Sequence, residues 1–216
     1  MRKSTAALAI ALTTSLCVPV CAQQLTNEKS TIDYFTADNV SGLLKELGAQ
    51  QVQVQSSDTG KSVTFQDGAI PYNAILTVCN KTTGANCEAT ILVVIFEGST
   101  SYPVDAFNNF NKEQSFVTAV KLEENKYAIS RMLLSSGGVT KKNVAVNIAS
   151  FASAPAKVMQ YLSSQLVAGY QDGQGANLQR VSYNPAPSHA IQATPRDIAQ
   201  ILKAVEHSTP TAALRH

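Results

Sequence analysis

Apolar positions set the punctuation of this chain. From Thr36 the stretch "TADNVSGLLKELG" spaces Val40, Leu43, Leu44 and Leu47 at helical intervals. Thr, Asp and Asn precede as caps and Gly48 follows, so a first helix is predicted. The period then changes from helical to alternating: "QQVQVQSS" and "KSVTFQDG", joined by Asp58-Thr59-Gly60, describe a two-stranded ribbon. "PYNAILTVC" and "CEATILVVIFEG" flank a polar loop as a second hairpin, and the four strands together suggest an antiparallel meander.

After Gly98, Pro103 opens "PVDAFNNFNKEQ", where Val104, Phe107 and Phe110 fall three apart, as a short helix lying on a sheet requires. "FVTAVKLEENKYAISRMLLSSGG" reads as strand, acidic turn, strand. Thr140 then starts a long helical pattern with Val144, Ile148 and Phe151 on one face and Val158, Tyr161, Leu162 and Leu166 on another. Pro155 must kink or divide it, because proline lacks the amide and crowds the preceding turn. The expected class is α+β, an antiparallel sheet with helices packed on it, in the order α-ββββ-α-ββ-α.

Residues 171–193 are rich in Gly, Gln, Pro and Asn, show no periodicity and are predicted to be a flexible linker. Beyond it, "TPRDIAQILKAVEH" over 194–207 offers Thr194 as cap, Pro195 and Asp197 in the first turn, and Ile198, Ile201, Leu202 and Val205 on one face. A detached amphipathic helix requires a surface to cover. Residues 208–216 form a tail.

The first 22 residues change where this architecture is expected to reside. Arg2 and Lys3 precede an apolar run from Ala6 to Val20, and Val20-Cys21-Ala22 suits a signal peptidase. The run of about 15 residues is short of the ~20 that cross a bilayer. Residues 1–22 are therefore expected to be a signal peptide cleaved after Ala22, giving a periplasmic or secreted protein without stable membrane insertion. Residues 23–35 are then an N-terminal extension of the domain at 36–170. Cleavage removes two of the 17 basic residues and none of the 15 acidic ones, so the mature chain is formally neutral. A neutral chain is a poor binder of nucleic acid, whose phosphates supply most of the affinity.

Cleavage also leaves Cys79 and Cys87 as the remaining thiols. An even pair in an exported chain reads as a disulfide. A redox pair is usually CxxC at a helix start, whereas seven turn-prone residues separate these two. A metal would need two more ligands, and His189, His207 and His216 are far away with no metal-like spacing.

Several strings resemble the YbjN-domain family, named for a bacterial sensory-transduction regulator and similar in fold to the chaperones of type III secretion. They are "VSGLLKELGA", "ILTVCNKTTGANCEATILVVIFEG", "FNNFNKEQSFVTAV" and "LLSSGGVTKKNVAVNIASF", in order over about residues 36–168. The resemblance implies a chaperone-like α+β fold and a non-enzymatic role without cofactors. It supplies no catalytic residue.

The candidate chemistry is correspondingly thin. "DTGKS" at Asp58–Ser62 is not a P-loop, since Gln55 stands where the first glycine is needed. As a hydrolase site it lacks the dry apolar setting of an aspartyl dyad. Glu123 and Glu124 fall at a predicted hairpin tip. Asn108 and Asn111 are expected to serve as cap or turn donors around the second helix. In "SSGGVTKKN", Gly137, Gly138, Thr140, Lys141 and Lys142 could hold an anion at a helix start, or simply make and cap the turn.

"ILVVIF" is the most informative run. Ile91, Val93 and Ile95 point to one face of a sheet while Leu92, Val94 and Phe96 point to the other, so both faces need cover. The second cover could come from the domain itself, a second protomer, a bound peptide or the C-terminal helix. The leading expectation is an exported protein-binding module, a possible homodimer, with Ile91, Val93, Ile95, Phe107 and Phe110 as candidate partner contacts. Its partner is not identified by the sequence. The alternatives are a small-anion sensor at Gly137-Gly138 and a hydrolase using Asp58.

Overall fold

A computed structural model describes residues 25–57, 60–98, 102–122, 125–169 and 189–208. The chain begins with a two-residue strand β1 (Thr31–Ile32) and helix α1 (Ala37–Glu46), followed by the meander β2 (Gln50–Ser57), β3 (Gly60–Asp67), β4 (Ile70–Thr77) and β5 (Ala89–Glu97). Helix α2 (Val104–Glu113) leads to β6 (Thr118–Lys121), β7 (Lys126–Leu134) and the short β8 (Val139–Thr140). Helices α3 (Lys141–Ala152) and α4 (Ala154–Gly169), strand β9 (His189–Ile191) and helix α5 (Pro195–Ser208) complete it. The class is α+β, with the antiparallel sheet ordered β2-β3-β4-β5-β7-β6.

Local chemistry explains the element ends. Thr36 Oγ1 accepts from Asn39 N while Asn39 Oδ1 accepts from Thr36 N, a reciprocal cap that starts α1. The long C-terminal pattern divides at Ser153, two residues before Pro155, into α3 and α4.

The sheet has two apolar faces. Leu92, Val94 and Phe96 of β5 join Val63, Phe65, Tyr72, Tyr127 and Ile129 under α1–α4 as the main core. Phe107 and Phe110 of α2 are buried in that same core, at 2% and 3% exposed. The buried stripe of α2 is Ala106, Phe107 and Phe110, and Val104, expected to share it, faces outward. The stripe follows the 3.6-residue period, which carries position 104 off the face set by 107 and 110.

Two segments read as peripheral are integral. Within the 23–35 extension, β1 pairs with β8, and Lys141 N and Lys142 N donate to the carbonyls of Ser30 and Glu28 at 2.8 and 3.0 Å. Within the 171–193 linker, His189–Ile191 are a strand: β9 runs antiparallel to the end of β5, pairing Ile95 with Ile191 and Glu97 with His189. It takes that position because the register between β4 and β5 stops at Asn73–Val93, leaving Ile95–Glu97 free to bond on that side. The signal-peptide residues 1–22, the hairpin residue Asp58 and the pair Glu123–Glu124 lie outside the described residues.

Candidate functional site

The second sheet face is built by alternation. Ile75 of β4, Ile91, Val93 and Ile95 of β5, Ala128 of β7 and Leu122 just past β6 form a separate buried cluster. Register sets its rows: Ile75 opposes Ile91, which opposes Met132, and Ile95 opposes Ala128. Toward β3 the same face becomes polar, with Asn73, Thr64 and Ser62 buried, and on the other side of β5 the buried Ser130 of β7 opposes Val93.

Helix α5 roofs this face. Ile198 and Ile201 belong to its cluster at 9% and 0% exposed, and Ile191, Ala193 and Leu202 pack around them. The helix is started by Thr194, whose Oγ1 accepts from Asp197 N at 3.2 Å, while Thr194 N donates to Asp197 Oδ2 at 3.0 Å. The other carboxylate oxygen of Asp197, a residue only 5% exposed, lies 3.9 Å from Lys126 Nζ on β7. The occupant is therefore a strand followed by a capped amphipathic helix, with one acid directed at one lysine. Ile91, Val93 and Ile95, expected as partner contacts, lie under this helix at 1%, 0% and 0% exposed. Phe107 and Phe110 sit on the opposite side of the sheet, so the five residues do not form one surface.

At the glycine turn, the groups expected to hold an anion have partners within the chain. Gly137 and Gly138 both adopt positive φ, +80° and +84°, as the sharp reversal requires. Yet all of the first three amides of α3 are occupied: Lys141 N by Ser30 O, Lys142 N by Glu28 O, and Asn143 N by Thr140 Oγ1 at 3.2 Å. The lysines are paired as well. Lys141 Nζ donates to Glu46 Oε1 at 2.7 Å and to Thr26 O at 2.8 Å, and Lys142 Nζ lies 3.2 Å from Glu28 Oε2. The Lys141 hydrogen bond is the main reason the Glu46 carboxyl is held below its usual range.

Cys79 and Cys87 are joined, with S–S 2.03 Å. The enclosed loop is ordered by Asn80, whose side chain accepts from the amides of Thr82 and Thr83 at 3.0 and 3.2 Å. Cys87 is 1% exposed, and its backbone exchanges hydrogen bonds with Phe35 at 2.7 and 3.0 Å just before α1. The bridge thus fixes the β4–β5 loop to the start of the helical layer. Among the described residues no three His, Cys, Asp or Glu side chains converge as a metal site would require.

Asn111 is a positioning residue. Its side-chain amide donates to Ala119 O and accepts from Ala119 N, both at 2.8 Å, so it binds the open edge of β6 as a further strand would. Arg131 lies over the Phe116 ring at 3.7 Å and donates to Phe116 O and Asn147 Oδ1, and burial lowers its pKa. Among the described residues, open grooves lie between the helices. One, of about 650 Å³, runs between α2 and α4 beside Phe110, Lys157 and Tyr161; another, of about 520 Å³, runs between α1 and α3 beside Leu44, Leu47 and Val146. Of the serines that line the first groove, Ser153 and Ser164 donate their hydroxyls to the carbonyls of Ser150 and Tyr161. Among the described residues no helix is long and apolar enough to cross a membrane.

Sequence reasoning identified the apolar strand, Asp197 and the amphipathic helix. It missed β9 and Lys126, since a three-residue strand carries too little periodicity and a lysine in a strand has no local mark.

The family model for YbjN, described as "Putative bacterial sensory transduction regulator", matches residues 36–162. The crystal structure of YbjN from E. coli, "a putative transcription regulator", is 16% identical, with 64% of this chain and 96% of that chain covered and a TM-score of 0.44. No curated protein matches the chain.

Proposed function

Because the chain belongs to the YbjN family of sensory transduction regulators, we propose that it is an exported, non-enzymatic regulator that works by binding another protein on the second face of its sheet. One observation carries this reading. The residues of that face, from Ile75 to Ala128, all lie inside the family-matched 36–162, whereas β9 and α5, which cover it, lie wholly outside. The family domain by itself thus leaves an apolar wall that some other segment must cover, and apolar patches of this kind mark interaction sites.

In this chain the cover is supplied in cis. Burial of Ile201 contributes about 2–3 kcal/mol to holding it there, against the ordering of the tethered segment. That balance lets a partner displace the helix without unfolding the main core, which is formed on the other side of the sheet. Binding in the chaperone-like manner implied by the resemblance then means holding a partner's apolar segment.

Export follows from the leader and agrees with the Cys79–Cys87 bridge, a bond that persists in oxidising compartments. The test is crosslinking in the native compartment of the wild-type chain and of Ile201→Asp, which places a charge on the buried face of α5. The variant is expected to crosslink proteins that the wild type does not. Identical crosslinked pools from the two, or a chain retained in the cytoplasm with residues 1–22 intact, would overturn the reading.

A further inference from the structure

Resting on the proposed protein-binding face, we infer that its partner presents a short extended strand followed by an amphipathic helix with an acidic residue in its first turn, the chemistry of the β9–α5 unit that fills the site in cis.

Three independent features of the seat specify this occupant. The first is main-chain pairing. Ile95–Glu97 of β5 extend beyond the reach of β4 and accept an antiparallel strand of three residues, Glu97 opposite His189 through Ile95 opposite Ile191. An added strand is recognised by backbone hydrogen bonds, which read extension and direction but little sequence.

The second is the spacing of apolar contacts. Ile91, Val93, Ile95 and Ala128 form a wall that receives Ile198, Ile201 and Leu202, at i, i+3 and i+4 of one helix. Those intervals lie on a single helical face. A strand continuing straight across the wall would instead present every second residue, so the seat selects for a turn into helix after the strand.

The third is charge. Lys126 is the cation beside the helix start, and Asp197 faces it from the first helical turn while also closing the cap on Thr194. An acid at that position gains twice, from the lysine and from the positive end of the helix dipole. A basic residue in the same place would oppose both.

The probe is a fluorescein-labelled synthetic peptide of residues 189–208, read by anisotropy against the full chain. Wild-type protein, with its seat filled, is expected to bind the peptide at least tenfold more weakly than the Ile201→Asp chain. Should Ile201→Asp fail to fold, Thr194→Ala combined with Ile198→Ser weakens the same helix without placing a charge on its buried face. On the opened chain, an Asp197→Lys peptide should bind about tenfold more weakly than the natural one. An opened chain that also carries Lys126→Glu should narrow that difference, since only the lysine's share of the preference is reversed while the cap and the dipole remain.

No peptide binding to either opened chain would overturn the inference. Binding that ignores the charge reversal would overturn its acidic requirement. If the opened chain captures proteins in its compartment but the peptide does not displace them, the protein-binding reading stands and this partner chemistry falls. Displacement of those proteins by the peptide, weakened by Asp197→Lys, supports it.

Discussion

Lys141 Nζ stands 2.7 Å from Glu46 Oε1 and 2.8 Å from the carbonyl oxygen of Thr26. One ammonium therefore joins the first turn of α3, the last turn of α1 and the segment preceding β1. Replacing it with methionine should cost about 1–2 kcal/mol, a charged hydrogen bond discounted for partial exposure. The cost has a pH signature. The Glu46 carboxyl is held below its ordinary value of 4.5, chiefly by Lys141. The interaction is thus fully present above 4.5 and lost as the pH falls through the lower folded-state value. Urea melts of wild type and Glu46→Gln should differ at pH 7 and converge in acid; parallel curves down to pH 3 would contradict the pairing.

The two turn glycines should respond differently to alanine. A Cβ at Gly138 would meet Thr31 Cγ2 at 2.6 Å and Asp33 Oδ1 at 3.2 Å, whereas at Gly137 it would meet nothing within 4 Å. Both positions carry the strain of a positive φ, about 1 kcal/mol. Gly138→Ala should lose roughly 1–2 kcal/mol more from the clash, and Thr31→Ala, which removes the offending methyl, should return part of it. Equal melting temperatures for the two glycine variants would show that β1 does not pack as described.

Tyr72 is 1% exposed, stacks on Phe65 and donates to Ala152 O at 3.3 Å. Burial first, and the charge of Asp67 second, push its phenol up to about 12. A raised folded-state value means that the neutral phenol contributes fully below pH 10 and that this contribution is lost as the pH rises from 10 to 12. Tyr72→Phe should be about 1 kcal/mol less stable at neutral pH. Between pH 10 and 12 the wild type should decline more steeply and the gap should close, as followed by circular dichroism.

Removing the disulfide as Cys79→Ala with Cys87→Ala should cost about 2–3 kcal/mol, the loop-entropy value for so short a ring. The loss should be visible locally. The amides of Phe35 and Cys87, which bond across the bridged loop, should exchange faster by tenfold or more while those of Val93 and Ile129 follow only global stability.

The parts of the molecule that sequence made legible are those with a strong period. Ile91, Val93 and Ile95 alternate with Leu92, Val94 and Phe96, which demanded two covered faces, and Ile198, Ile201 and Leu202 share one helical face. That these two sets meet within one chain depends on contacts about a hundred residues apart, which no local pattern encodes. The same limit hid the role of Thr26, Glu28 and Ser30, whose backbone and side chains hold Lys141 and Lys142 from the other end of the domain. It also explains the reassignment of Phe107 and Phe110. An apolar stripe on a helix states that something covers it, but not whether the cover is its own sheet or a partner. The glycines announced their turn correctly through their need for positive φ, while the donors around it were already taken by carbonyls from a distant segment.

The position of α5 well after the wall that it covers has a vectorial consequence. Ribosomes and export channels deliver a polypeptide from its amino end, so Ile75, Ile91, Val93, Ile95 and Ala128 emerge well before Ile198 and Ile201. Until α5 arrives, the newborn protein carries a sticky wall toward its surroundings. During that interval the uncovered apolar surface favours aggregation, and the arrival of α5 ends the exposure.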